Sequence, residues 1–378
     1  MKVLNVLNDE KFIDNAHRFS GKISGVENEY IVISDSTNLK YIKETPVNII
    51  SKKKIFHRDF FKEMKSYDAV ILHKLDFIKI WILIFASRKV KFIWVGLGVD
   101  YYSYVFGSKE KLFEPKTYAL YKAEMDSKNP IRNFLKKLFY SSFLVKYAIN
   151  KITYFAPVLN VEYDLVRAKN NWFRPKFVDF NYGSGDSDFE ATAKKHSTLG
   201  KNILIGNSAT YENNHIDVFY QLKDFELSDR MIVCPLSYGK NNYRNEVIKE
   251  GKQIFKNSFE PIIDFVSYQE YVEMLSTCSI VVMNHKRQQA MGNIMIMIGL
   301  GAKVYIRKSN PVYAFLQELG VTVFEIEEIK NEEDFLAPLN EAQSSNNKRI
   351  IEDRYNGENF LNKIRLFYKT IGSSEVGI

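Results

Sequence analysis

The apolar pattern of this chain alternates between short continuous runs and stretches of helical period, and the whole alternation occurs twice. Short runs rich in β-branched and aromatic residues at 3–7, 30–34, 69–73, 90–95 and 152–156 read as buried strands. Helical spacing fills stretches between them, for instance 58–65 and 76–87. Strands apolar on both faces and separated by helices pack as parallel sheets covered by helical layers. The turn-forming run Asn181-Tyr182-Gly183-Ser184-Gly185-Asp186-Ser187-Asp188 then interrupts the pattern. It restarts with strands at 202–205, 231–234, 261–263, 280–283, 303–306 and 321–324, and with helices near 214–224, 242–256, 268–277, 287–299 and 310–319. The expected fold class is α/β: two Rossmann-like, doubly wound domains facing a central crevice. Residues 1–180 form the first, 181–200 a linker, 201–345 the second, and 346–378 carry a C-terminal helix.

Several classes fall away on composition. With 46% apolar and 14% aromatic residues the chain is neither disordered nor fibrous. No run approaches the 18 or so apolar residues of a membrane-spanning helix. Two cysteines, Cys234 and Cys278, give no disulfide framework or thiolate metal cluster. A reducing cytoplasmic setting is expected. The net charge of +8 is uneven: residues 1–180 hold 31 basic and 19 acidic side chains, and residues 181–378 hold 22 and 26. The excess sits mainly in 51–150, with 20 basic and 9 acidic residues. Within it lie Lys52, Lys53 and Lys54, and a stretch with helical apolar spacing around Lys136 and Lys137. Basic residues beside apolar ones suit an anionic membrane surface. Nucleic acid is not expected, because no recognition motif accompanies the charge.

In parallel sheets ligands bind beyond the carboxyl ends of strands, so the residues after each strand are the candidate site. Gly206-Asn207-Ser208-Ala209-Thr210 combines a tight-turn glycine with small polar side chains ahead of a helix, which suits a diphosphate. Ser237 and Tyr238 follow the next strand. Asn284, Arg287, Gln288, Gln289 and Gly292 follow another: Arg287 could pair with phosphate bidentately, the glutamines could read sugar hydroxyls, and Gly292 would admit a ligand close to the helix. In the first half, Asp100 follows Gly96-Leu97-Gly98 and could serve as general base, with His17 as the other candidate. Asp186-Ser187-Asp188 has the D-x-D form of a metal–diphosphate site but stands in the linker, so no metal or other cofactor is expected. The run around Ser208 also has part of a serine-nucleophile elbow, with Asp264 and His285 in hydrolase order, but Thr210 replaces its second glycine.

Residues 203–208, Asn214-His215, Pro235-Leu236-Ser237-Tyr238-Gly239, Arg287-Gln288-Gln289-Ala290-Met291-Gly292 and Asn310-Pro311 together resemble the bacterial Fuc4NAc (4-acetamido-4,6-dideoxy-galactose) transferases. That family is also called 4-alpha-L-fucosyltransferase. The likeness is strong over 200–325 and looser before 180, where Trp94-x-Gly96 with Asp100 resembles a Trp-Gly-x-Asp segment with inserted residues. It implies the GT-B architecture and metal-independent transfer of Fuc4NAc. The donor would be a dTDP-sugar held by the C-terminal domain. The acceptor would be an undecaprenyl-diphosphate-linked oligosaccharide, met at the cytoplasmic face of the inner membrane by a peripheral enzyme. A non-catalytic sugar-nucleotide-binding partner in polysaccharide assembly is the alternative.

Overall fold

A computed structural model describes residues 1–126, 143–180, 199–227, 229–354 and 357–373. The chain forms two compact units. The first comprises Met1–Gly107, Pro130–Gly185 and Asn356–Ile378. Its sheet has seven parallel strands in the order β3-β2-β1-β4-β5-β6-β7. They are β1 (Lys2–Leu7), β2 (Glu27–Ile33), β3 (Val47–Ile50), β4 (Ala69–His73), β5 (Phe92–Val95), β6 (Ile152–Ala156) and β7 (Lys176–Phe177).

Alternate residues of these strands feed two apolar layers, as the strand period requires. Leu4, Val6, Val70, Leu72, Phe92 and Trp94 pack on one face. Val3, Leu7, Ala69, Ile71, Ile93 and Val95 pack on the other. The helix Gly357–Gly372 seals that second face with Phe360, Ile364, Phe367 and Ile371, spaced to form one helical stripe.

The second unit comprises Ser108–Asn129 and Asp186–Tyr355. Its six parallel strands run in the order β10-β9-β8-β11-β12-β13. They are β8 (Asn202–Ile205), β9 (Ile232–Pro235), β10 (Phe259–Ile262), β11 (Cys278–Met283), β12 (Lys303–Ile306) and β13 (Phe324–Glu325). The helix Met291–Leu300 is apolar on nearly every side and is buried accordingly. Helix Glu341–Arg354 covers it; a Cβ at Gly301 would stand 2.5 Å from Ser344 Oγ.

The units are not cut at one point. Residues 108–126, expected in the first domain, join the second through Asp217: its carboxylate accepts from the Lys116 and Thr117 backbone amides (2.8 and 3.1 Å) and from Thr117 Oγ1 (2.6 Å). The single last helix expected within 346–378 is two, Glu341–Arg354 and Gly357–Gly372, one in each unit. Of the expected linker, 181–200, residues 181–198 lie outside the described residues.

Candidate active site

The second sheet reverses its strand order between β8 and β11: the chain steps outward from β8 through β9 to β10, then returns to the other side of β8 with β11. Such a switch point opens a ligand crevice at the carboxyl edge. Gly206–Thr210 leaves β8 there, and Asn284–Gln289 leaves β11. Sequence reasoning placed these loops at one edge; the structure ties them together.

The tie is Asn213, fully buried and unassigned in the sequence reading. Its Oδ1 accepts from the Asn207 backbone amide and faces His285 Nε2, each at 2.9 Å. Its Nδ2 donates to Ser208 Oγ at 3.1 Å and Thr210 Oγ1 at 2.9 Å. Gln289 completes the cluster from the β11 side. Its amide nitrogen donates to Asn207 Oδ1 and Thr210 Oγ1, both at 3.2 Å, while its carbonyl Oε1 is buried with no partner among the described residues. The β9 loop is stitched on by paired backbone bonds between Ala209 and Tyr238–Lys240, and by Asn207 Nδ2 donating to Tyr238 OH at 3.0 Å. Ser237 accepts from Arg244 through its carbonyl at 3.2 Å.

This divides the expected residues by access. Asn207 and Ser208 are 8% and 1% exposed and bonded to other site residues, so they shape the cradle's wall. Ser208 Oγ meets Asn213, Thr210 and Gln289, and His285 turns to Asn213 instead; the hydrolase arrangement is absent among the described residues. Asn284 is also structural, its Oδ1 gripped by Arg307 Nε and its second nitrogen at 3.0 and 2.7 Å. Gln288 is buried. Arg287 is half-buried and donates to the Gln288 carbonyl at 2.8 Å; among the described residues it forms no ion pair. Gly292, at the start of helix Met291–Leu300, is exposed, with open space where a Cβ would stand. Tyr238, Phe265 and Tyr268 are exposed aromatics at the ends of β9 and β10; the sequence reading missed the last two.

Two buried histidines back the cradle. His215 places Nδ1 3.2 Å from Tyr243 OH; among the described residues its Nε2 has no partner, and neither does His285 Nδ1. Burial lowers the His215 pKa to about 3, and burial with the nearby Arg287 charge drives His285 well below its ordinary value. Both are therefore neutral at pH 7. The unfolded imidazoles take up protons below about pH 6.5, whereas folded His215 resists until about pH 3 and folded His285 is also held neutral well below its ordinary range. Stability should fall over that window, by about 1.6 kcal/mol between pH 6.5 and 5 from His215, with His285 adding to the loss. Denaturant melts at the two pH values measure the loss, and the imidazole resonances should not titrate above pH 5.

In the first unit the expected bases behave differently. Asp100 is tied down on both oxygens: Oδ2 accepts from the Leu75 amide and Trp94 Nε1, each at 2.8 Å, and Oδ1 accepts from the Leu97 amide at 2.9 Å. Burial raises its pKa although these donors oppose the shift. The carboxylate clamps the loops after β4 and β5, which corrects the reading of it as an available base. His17 lies on helix Ile13–Ser20, edge-on to Tyr30 with ring centroids 5.1 Å apart. At this sheet's switch point, between β1 and β4, stands a group the sequence reading passed over. Lys79, 2% exposed, reaches Asp76 Oδ2 at 3.2 Å and bonds to Asn8. Lys52, Lys53 and Lys54 are exposed, Lys52 paired with Asp35 at 3.1 Å; Lys136, Lys137 and Asp186–Asp188 lie outside the described residues.

A sequence profile described as 4-alpha-L-fucosyltransferase, glycosyl transferase group 56, matches residues 129–351. The chain belongs to this family. Among solved structures, a glycosyltransferase from Rickettsia africae has 14% identity and a TM-score of 0.63, with 98% of each chain covered. The Anabaena HepE protein in complex with UDP-glucose has 12% identity and a TM-score of 0.60, covering 98% of this chain and 100% of that one. An E. coli trehalose-6-phosphate protein bound with UDP-2-fluoro glucose has 7% identity and a TM-score of 0.61, covering 99% of each. These likenesses carry the fold, two parallel α/β units of the GT-B type. This 4-alpha-L-fucosyltransferase family member is a glycosyltransferase.

Proposed function

We propose that the enzyme moves a 4-acetamido-4,6-dideoxy-hexose from a dTDP-sugar to an undecaprenyl-diphosphate-linked oligosaccharide in surface-polysaccharide synthesis, working as a peripheral protein at the cytoplasmic face of the inner membrane. The observation that carries the donor half is the bonded crevice at the β8–β11 switch point, with Arg287 half-buried beside it and without an ion pair among the described residues. The diphosphate lies against Thr210, Arg287 and the first-turn amides of helix Met291–Leu300, whose dipole favours negative charge. As the glycosidic bond breaks, charge grows on the leaving β-phosphate, and Arg287 answers it there. Gln289, held on three oxygens, turns its unpaired carbonyl toward a donor hydroxyl. Tyr238, Phe265 and Tyr268 supply aromatic faces for the base.

Thermal shift and transfer assays with dTDP, UDP and GDP and their sugars test this reading. A dTDP shift at micromolar ligand, with transfer from dTDP-Fuc4NAc to the lipid-linked acceptor, is expected. Preference for uridine or guanosine nucleotides would overturn the donor assignment.

A further inference from the structure

In the first unit the helix Phe77–Phe85 has two faces of different chemistry. Ile80, Ile82 and Leu83 are buried against the sheet. On the opposite side Phe77, Trp81 and Phe85 recur every fourth residue and form one continuous row of rings. Phe77 and Trp81 meet edge-on at 5.9 Å between centroids, and Trp81 and Phe85 stack at 5.3 Å. Phe77 and Phe85 are 49% and 59% exposed. Phe61, on the neighbouring helix Arg58–Glu63, extends the row to Phe85 at 6.4 Å. Phe56, just before that helix, is 71% exposed. The helix Phe143–Ile149 packs beside Phe77–Phe85 and begins with Phe143 and Leu144, 79% and 51% exposed. A soluble surface rarely gathers so many large apolar side chains on adjoining helices.

The surrounding charge selects the occupant. Residues 51–65 hold six Lys or Arg and two acidic residues, one of them, Asp59, paired with Lys62. Arg88 and Lys89, both exposed, follow the aromatic helix. Aromatic rings bordered by cations match an anionic bilayer, with rings at the acyl boundary and ammonium groups among the phosphates. A protein partner would need a complementary acidic apolar face, and nothing about the patch calls for one.

We propose that the face formed by Phe56, Phe77, Trp81, Phe85, Phe143 and Leu144 is the bilayer-contacting surface of this enzyme, inserting its rings into an anionic leaflet. The inference rests on the lipid-linked acceptor reading and gives that reading a surface. It moves the principal contact from lysines alone to the aromatic row, with the lysines as its cationic border.

The test uses the full chain and vesicles of phosphatidylcholine with or without phosphatidylglycerol. The wild type should sediment with the anionic vesicles, less so as salt rises, and in a Trp172→Phe background acyl-brominated lipid should quench the fluorescence of Trp81, since Trp94 is fully buried. Phe56→Ser, Phe85→Ser and Phe143→Ser combined remove only strongly exposed rings, so the melting temperature and the dTDP shift should hold. Vesicle partitioning should drop by at least about tenfold. Unchanged partitioning of that variant, or no binding by the wild type, overturns the proposal. So does a dimer in light scattering that the same substitutions dissociate, since the face would then belong to a second copy. Transfer to a short-chain, water-soluble acceptor reads the functional proposal separately: its loss in the wild type counts against the acceptor, not against the surface.

Discussion

Gly206→Ala should cost the second unit about 3 kcal/mol and abolish nucleotide binding, although the change adds one methyl group. Two independent terms give that figure. Gly206 has φ of +69°, a left-handed conformation that costs an L-residue about 1 kcal/mol or more. The added Cβ would also stand 2.4 Å from His215 Nε2 and 2.8 Å from Asn213 Oδ1. Neither neighbour can step back. Both are fully buried, and Asn213 holds the Asn207 amide and faces His285 through that same oxygen. Overpacking at such a point costs about 1–3 kcal/mol, and displacing Asn213 strands buried donors. Gly292→Ala is the matched control. It has open space around the new methyl and a helical position, so stability should hold or rise slightly. Denaturant melts of both variants and a dTDP titration of Gly206→Ala decide the matter. A Gly206→Ala protein that melts and binds as the wild type does would show that the β8 loop relaxes freely and that Asn213 is no hub.

How far the sequence reached follows from what each feature depends on. The long buried strands announce themselves in consecutive residues, so runs such as 69–73 and 280–283 read as the strands they form. β3 and β7 did not, because Val47–Ile50 and Lys176–Phe177 are short edge strands with little buried surface. Gly206, Ser208 and Gln289 were legible as crevice candidates because residues just after a strand stand at the edge where parallel sheets take ligands. Asn213 was not. Its importance lies in facing both the β8 loop and His285, which is 72 positions away in sequence. Asp100 shows the opposite failure. A carboxylate just past a strand end looks available in one dimension, yet its acceptor sites go to Leu75, Trp94 and Leu97. The crossing of chain segments between units was invisible for the same reason: Asp217 captures the Lys116 and Thr117 amides from about a hundred residues away.

Arg287→Ala should lower transfer by about 100- to 1,000-fold in kcat while leaving the protein folded, the range seen when one preorganised group facing transition-state charge is removed. The structural cost is small because the guanidinium makes one hydrogen bond, to the Gln288 carbonyl, and is half-buried. The functional cost is large because the polar groups of the cradle itself, Asn207, Ser208, Thr210 and Gln289, are neutral amides and hydroxyls. Glu212 sharpens the expectation. Burial pushes its carboxyl up, but Lys109 at 2.7 Å and the Arg287 charge together hold it below the usual range. Glu212 is thus ionised beside Arg287 and keeps that cation attracted toward the protein. A dianionic diphosphate has to outcompete this single carboxylate, and the negative charge gained in the transition state tips the balance further. The loss in Arg287→Ala should therefore appear mostly in kcat, with a smaller rise in KM for the donor. Arg287→Lys, which keeps the charge but loses the bidentate fork, should recover part of it. Equal kcat values for wild type and Arg287→Ala with the preferred donor would move the leaving-group contact elsewhere in the crevice, with the first-turn amides at Gly292 next in line.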